Sequence, residues 1–171
     1  DRTSITMPDP FAIGVGTTIP ARGVACFFQD VIEQLKNEDQ LTHIGDLRSE
    51  MGRHPVYRYN VEKEAVTLFH PGLGGPLAAA FLEELIAVGV TKYIVCGGCG
   101  VLDKKIDPGY PVILTAAVRD EGTSYHDIPP SREVTAHPRG VEVLEQTCRE
   151  AGVEYRLGKT WTTDAFYRET P

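Results

Sequence analysis

The chain has 171 residues, a formal net charge of −7 and 42% hydrophobic residues, so it is long enough for one domain with a buried core. The acidic balance argues against a protein that binds the nucleic-acid backbone, because such proteins present basic faces. No stretch approaches the roughly 20 apolar residues of a membrane span, and no basic start precedes an apolar run. We therefore expect neither a membrane segment nor a signal peptide.

The four cysteines, Cys26, Cys96, Cys99 and Cys148, lack the spacing of a small disulfide scaffold, so we expect a reduced, cytoplasmic protein. The pair Cys96 and Cys99 has the spacing of a zinc or thiol–disulfide motif. No second pair with metal-ligand spacing exists, and no amphipathic helix follows. The sequence therefore favours a glycine-rich turn without a metal, in which the cysteines are small packing residues, over a zinc or redox role.

The first half of the chain predicts a lead-in, a strand, a helix and a hairpin. Residues 1–22 are rich in Pro, Gly and Thr and predict an irregular lead-in. The apolar run 23–28 predicts a buried strand, and the amphipathic run 30–36 predicts a short helix. Two β-rich runs, 55–61 and 65–70, are joined by a short polar link and predict a hairpin.

A glycine-rich segment, 71–75, follows the hairpin. Pro76 then begins a predicted helix that ends at Gly89, because Pro is well placed in a first helical turn and Gly just after a last one. Residues 91–96 predict the next strand. The strand–helix–strand unit over 65–96 predicts a right-handed crossover between parallel strands.

The second half of the chain predicts a strand at 111–118, a helix at 139–151 and a strand at 153–160. This alternation predicts an α/β fold with helices on both faces of a sheet. Ligands of such sheets bind beyond the carboxyl ends of the strands. Three loops are predicted at that position: 71–75, 97–100 and 161–167.

Three segments carry candidate chemistry, and each has a structural alternative. The glycines of 71–75 let a backbone approach an anion or a sugar at a helix N-terminus, or they simply form a tight turn. The segment 119–126 (RDEGTSYH) offers charged and hydroxyl groups at a strand end, or a solvated loop with Arg–Glu pairing. The segment 160–170 (TWTTDAFYRET) offers aromatics that stack on a flat base, or an aromatic core corner.

The order of four motifs resembles the nucleoside phosphorylase superfamily, nearest its uridine-phosphorylase-like branch. The motifs are HPGLGGP, VCGGCG, AAVRDEGTSYHDIPP and WTTDAFYRET, and the likeness runs from about Phe28 to the end of the chain. The resemblance implies a central mixed, largely parallel sheet flanked by helices on both faces. It also implies one phosphorylase-like domain over 23–171 that lacks its C-terminal part, in a homo-oligomer that is a hexamer (trimer of dimers) or a dimer.

The resemblance further implies phosphorolysis of a purine nucleoside or of uridine. Phosphate attacks the sugar C1 as the base leaves, so nucleoside and phosphate are the binding partners. Phosphate is then a co-substrate, and no metal or organic cofactor is expected.

The resemblance assigns site residues to two turns, an aromatic segment and two arginines. It implies that base and sugar are contacted by Leu73, Gly74, Gly98, Cys99, Gly100, Thr163 and Phe166. Arg48 matches an arginine that one subunit lends to the phosphate site of its neighbour. Arg119 is the second candidate for phosphate.

The chain also departs from the family's pattern. The first predicted strand runs into Phe28-Gln29-Asp30 where the family has a phosphate loop. Val95 and Gly98 stand where the family has an arginine and a hydroxyl group. The family continues beyond Pro171, and the catalytic residues are expected there. These departures leave two alternatives open: a nucleosidase that uses water, or a non-catalytic oligomerising relative.

Overall fold

The computed structural model describes residues 19–169. Among them, the chain forms eight strands and three α-helices, in two compact units divided between Cys99 and Gly100. Most of the predicted lead-in lies outside the described residues, and the first strand begins at Arg22. The single domain expected over 23–171 stays a prediction.

The first unit contains a five-stranded mixed sheet and two helices. The elements are β1 (Arg22–Cys26), α1 (Gln29–Asn37), β2 (Leu41–Ser49), β3 (Gly52–Val61), β4 (Glu64–Phe69), α2 (Gly75–Ala87) and β5 (Lys92–Cys96). The strand order is β2-β3-β4-β1-β5. β1 is parallel to β4 and β5, whereas β3 is antiparallel to both β2 and β4. The predicted hairpin over 55–70 and the predicted helix after Pro76 are confirmed.

The predicted strand–helix–strand unit is β4–α2–β5, and β1 lies between its two strands. The two strands are therefore parallel, as expected, but they are not neighbours. β1 can lie between two parallel strands because its run GVAC is apolar, so that both of its faces can be buried under helices.

The strand β2 is not predicted from the sequence, and a β-bulge explains why. The pairing of β2 with β3 shifts register between His43 and Gly45. The buried residues Ile44 and Leu47 are consequently three positions apart, although both join the same core. This spacing breaks the two-residue alternation by which a strand is identified.

The two helices of the first unit cover opposite faces of its sheet. α2 contributes Phe81 and Leu85 to a core that includes Ala25 and Phe69. α1 contributes Ile32 to a second core, with Cys26, Tyr57 and Leu68. Successive residues of one strand, such as Ala25 and Cys26, thus enter different cores, as strand geometry requires. Helices on both faces of the sheet are confirmed.

The second unit contains a three-stranded mixed sheet and one long helix. Its elements are β6 (Val112–Asp120), β7 (Glu133–Thr135), α3 (Pro138–Glu150) and β8 (Arg156–Thr163). β6 is parallel to β8 and antiparallel to β7. The α/β class is therefore confirmed, with the strands divided between two sheets. No helix within residues 19–169 combines the length and the apolar character needed to cross a membrane.

Replacing Phe81 with Ala is expected to lower the free energy of unfolding by about 3–5 kcal/mol, because a lost core ring leaves a cavity. Phe81 is 1% exposed, whereas Ile86 in the same helix is 54% exposed. Urea unfolding followed by circular dichroism measures both variants. The matched control, Ile86→Ala, should cost less than about 1 kcal/mol. Equal losses would contradict the core assigned to α2.

Candidate functional site

Three parallel strands of the first unit end at one edge of its sheet. The register places Ala25 beside Phe69 and Cys26 beside Cys96. The segments that leave this edge are 27–28, 70–74 and 97–99. The sequence predicted the second and third as binding loops. The two turns, with Leu73 and Gly74 in one and Gly98 and Cys99 in the other, therefore lie at the same edge of the sheet. The end of β1 lies between them.

The turn before α2 is built around glycines in the left-handed region. Gly72 has φ +77° and Gly74 has φ +88°. A Cβ atom on Gly72 would also collide with Leu77. His70 fixes the turn, because its Nδ1 accepts a hydrogen bond from the Gly72 N–H at 3.0 Å.

The first turn of α2 leaves backbone N–H groups for a ligand. Gly74 is the N-cap, so no side chain caps the helix. Uncapped N–H groups at a helix start suit an anion or a sugar oxygen. The neighbouring Leu73 side chain is 76% exposed and offers an apolar contact at the same turn.

The glycine-rich turn after β5 packs against the residues that follow β1. A Cβ atom on Gly97 would lie 3.1 Å from Phe27, so a larger residue there is tightly restricted. Gly98 is less restricted, since the nearest atom to its Cβ position is 3.7 Å away, on Phe28. The backbone at Gly98 is therefore less crowded than the backbone at Gly97.

The cysteines near this edge differ in their surroundings. Cys96 packs against the core on the α1 side, and burial together with the neighbouring Cys26 raises its pKa to about 11. Cys96 is therefore a neutral thiol at physiological pH. Cys99 is exposed, so the interpretation of it as a packing residue is wrong. Within residues 19–169, no three His, Cys, Asp or Glu side chains are grouped to hold a metal ion.

Arg48 lies on a hairpin that projects beyond the same edge of the sheet. β2 runs parallel to β4, and Val56 of β3 pairs with Phe69 at the end of β4. The hairpin continues past this point, and Arg48 pairs with Arg53, about 10 Å further along at the usual strand rise. Within the described part of the chain, the exposed Arg48 side chain forms no hydrogen bond or ion pair.

The tip of this hairpin is attached to α2. The Ser49 Oγ and His54 Nε2 atoms are 2.9 Å apart, and Ser49 Oγ accepts a hydrogen bond from the Met51 N–H at 3.1 Å. The His54 ring packs on the buried Phe81 ring, with 4.7 Å between centroids. These contacts fix a segment that would otherwise be a two-stranded ribbon of marginal stability.

Arg119, in the second unit, is 6% exposed and is bound to its own loop. Its Nε donates to Ser124 Oγ at 2.8 Å, and its Nη1 donates to Pro129 O at 2.9 Å and to Ser131 Oγ at 2.7 Å. The guanidinium also lies 4.1 Å from the centroid of the Tyr125 ring. Arg119 therefore holds the loop 121–131 onto the end of β6, and its proposed phosphate contact stays a prediction.

Glu121 completes the network around Arg119. Its carboxylate accepts hydrogen bonds from both the N–H and the O–H of Ser124. Burial raises the pKa of Glu121, but the hydrogen bonds from Ser124 and Thr123 and the charge of Arg119 outweigh burial and lower that pKa. The carboxylate is thus ionised and structural. It interacts with Arg119 through its charge and through the shared Ser124, and the structure shows no direct ion pair between them within residues 19–169.

An open pocket of about 890 Å³ lies at the carboxyl ends of β6 and β8. Trp161 lines it and donates from Nε1 to Asp120 Oδ2 at 3.1 Å. β8 extends through Thr163, whose Oγ1 accepts a hydrogen bond from the Ala165 N–H at 3.1 Å. Phe166 is 58% exposed, and its ring therefore has a free surface on which a planar base can stack.

The predicted site residues fall into two groups. Those in the first unit are Arg48, Leu73, Gly74, Gly98 and Cys99, and those in the second are Gly100, Arg119, Thr163 and Phe166. The sequence analysis missed Ser49, Arg53 and His54, because it did not predict β2 and so gave no cross-strand partners for Arg48.

Comparison with known proteins identifies a family and several relatives of this chain. Residues 21–171 match the family described as the phosphorylase superfamily. A uridine phosphorylase of Thermococcus kodakarensis is 31% identical over 131 residues, which are 75% of this chain and 47% of that protein. A guanosine phosphorylase of Halorubrum lacusprofundi is 34% identical over 109 residues, which are 61% of this chain and 44% of that protein.

Solved structures show a similar fold. The crystal structure of a uridine phosphorylase from Vibrio fischeri has a TM-score of 0.76 at 22% identity, with 88% of this chain and 62% of that chain covered. The chain spans about half the length of the curated relatives it matches.

Replacing Glu121 with Gln is expected to destabilise the protein at pH 7, because a charged acceptor of two hydrogen bonds is lost. The folded-state pKa of Glu121 is depressed, so its stabilising contribution is present above the ordinary pKa of 4.5 and is lost as pH falls through the folded-state value. The stability difference between wild type and variant should therefore shrink on acidification. Urea unfolding at pH 7 and at lower pH measures it, with Glu142→Gln on exposed α3 as control. A difference independent of pH would contradict this assignment.

Proposed function

Because the chain belongs to the phosphorylase superfamily, we propose that the protein cleaves the N-glycosidic bond of a nucleoside by phosphorolysis, in nucleotide salvage. The products are the free base and a pentose 1-phosphate. The match over residues 21–171 carries this proposal, and the two glycine turns at one sheet edge support it. The relatives include both a uridine and a guanosine phosphorylase, so the proposal covers both classes of base.

In the proposed reaction, a phosphate oxygen forms a bond to the sugar C1 as the C1–N bond breaks and its electron pair leaves with the base. The transition state resembles an oxocarbenium ion, so the protein acts by positioning and by charge stabilisation. The backbone of Gly74 and Gly98 and the side chain of Leu73 contact the sugar in this proposal. Phe166 packs on the base. We assign no described residue to protonation of the leaving base.

Phosphate is the co-substrate in this proposal, without a metal or an organic cofactor. Arg48 is its first protein contact, supported by a guanidinium that is exposed and unpaired within the described part of the chain. Arg119 is the second contact in this proposal, supported by its Nη2 atom, which has no hydrogen-bond partner in the described part of the chain.

We place the protein in the cytoplasm as a homo-oligomer, a hexamer (trimer of dimers) or a dimer. The projecting hairpin supports this assembly, because it presents Arg48 away from the sheet of its own subunit. In such an assembly, Arg48 completes the phosphate site of a neighbouring subunit.

Hydrolysis by water is the second candidate reaction. Gly98 offers no hydroxyl group to phosphate, and Val95, in β5, is an apolar residue with 62% exposure. Fewer phosphate contacts favour a nucleosidase, and the same losses favour a non-catalytic oligomerising relative.

A substrate panel separates these functions. We expect release of base from at least one of uridine, inosine, guanosine and adenosine to require phosphate, with protein whose intact mass has been verified. Chromatography of the free base measures the rate with and without phosphate. Equal rates in both conditions would establish hydrolysis instead, and no release from any nucleoside would establish the non-catalytic alternative.

Replacing Phe166 with Ala is expected to raise the KM for nucleoside by about two- to tenfold, since stacking of an aromatic ring contributes about 0.5–1.5 kcal/mol. The KM for phosphate should change less than about twofold, because the ring does not contact phosphate. Steady-state kinetics with either substrate varied measure both constants. Tyr167→Ala is the matched control, since Tyr167 is adjacent and 89% exposed. Equal effects of the two variants would refute the proposed contact.

A further inference from the structure

Two arginines lie opposite each other near the tip of the β2–β3 hairpin. Arg48 pairs directly with Arg53 in the antiparallel register. Side chains of such a pair lie on the same face, with Cβ atoms about 5 Å apart, and like charges in this position repel. The repulsion is uncompensated on Arg48, whose side chain forms no ion pair within residues 19–169.

The carboxylate of Asp46 lies near this arginine pair, and His43 and Arg53 share it. Asp46 Oδ1 is 3.0 Å from His43 Nε2, and Asp46 Oδ2 is 3.3 Å from Arg53 Nη1. Burial raises the pKa of Asp46, but hydrogen bonds and charges from His43 and Arg53 outweigh burial and lower it. Asp46 is therefore ionised and neutralises Arg53 in part. Glu50, in the turn itself, forms no ion pair in the described chain.

The two faces of the hairpin tip have different roles. Leu47 is fully buried and His54 packs on Phe81, so one face is fixed against α2. Alternation along the strands places Arg48 and Arg53 on the other face. The Arg53 side chain is 69% exposed. Fixation of one face therefore holds both guanidiniums towards solvent.

We propose that Arg48 and Arg53 together bind a tetrahedral oxyanion, either inorganic phosphate or the phosphate group of a sugar phosphate. The inference deepens the proposed function, on which it rests, by adding Arg53 as a second cation at the phosphate site. Guanidinium groups form charge-assisted, bidentate hydrogen bonds with phosphate oxygens. An anion between the two arginines also offsets their mutual repulsion.

Calorimetric titration tests the site without turnover. Wild type is titrated with inorganic phosphate and, in a second arm, with a pentose 1-phosphate at low ionic strength. Arg48→Gln and Arg53→Gln should each weaken binding by about tenfold, the effect of one charge-assisted contact. Arg58→Gln is the matched control, since Arg58 is exposed on the same strand and donates to Asn60 at 3.2 Å, and it should change binding less than about twofold.

Asp46→Asn separates the anion site from the ion pair. This variant breaks the contact with Arg53 but keeps both guanidiniums, so phosphate should bind at least as tightly as in wild type. If Arg53→Gln acts only by disturbing the hairpin, Asp46→Asn should weaken binding as well. Circular dichroism at each variant's working temperature verifies the fold.

The outcomes distinguish the site from the reaction. Unchanged phosphate binding in Arg53→Gln, or no binding of either ligand to wild type, overturns the inference. Binding of the pentose 1-phosphate alone identifies the sugar phosphate as the ligand. Phosphate-dependent cleavage with an unaltered phosphate KM in Arg53→Gln refutes the second cation and leaves the reaction standing. Binding that depends on both arginines, without any cleavage, supports the site and counts against phosphorolysis.

Discussion

The pairing of β1 with parallel strands on both sides determines where the loops of the first unit emerge. β4 and β5 each run parallel to β1, so three carboxyl ends meet at one edge. Parallel neighbours cannot be joined by a tight turn, and α1 and α2 therefore pass over the two faces. The two glycine turns owe their common edge to this topology rather than to any contact between them.

Burial of β1 on both faces also places the two cores. Ala25 and Cys26, adjacent in sequence, belong to separate clusters on the α2 and α1 sides. A ligand at the carboxyl edge is thus supported from beneath by packed side chains on both sides of the strand. Rigid elements of this kind hold binding turns more precisely than loops alone.

The sequence predicted the elements that are marked by residues within or next to the element itself. The helix α2 has Pro76 in its first turn and Gly89 beyond its end, and its bounds follow from these two residues. The hairpin of β3 and β4 follows from two β-rich runs with a short link. β2 could not be predicted, because the bulge near Gly45 disrupts its alternation, and β7 has only three residues.

The sequence predicted those parts of the candidate site in which the backbone conformation requires a particular residue type. Gly72 and Gly74 occupy left-handed conformations that other residues rarely adopt, so their spacing indicates a constrained turn. Nearby sequence does not show in the same way which groups an arginine side chain contacts. Arg119 is bound by residues up to 12 positions away, and Arg53 meets Arg48 only through the strand register.

The bulge in β2 determines which residues of the following hairpin tip face the core and which face outward. Ile44 and Leu47 enter the same core although an odd number of steps separates them, and the extra residue makes this possible. Loss of Gly45 would remove the extra residue and restore strict alternation, because Ile44 could then pair with Val56 while Leu47 stays opposite His54 and Arg48 stays opposite Arg53. A chain shortened by one residue at the bulge would therefore keep both arginines on the outward face, whereas a second deletion there would turn Leu47 towards solvent.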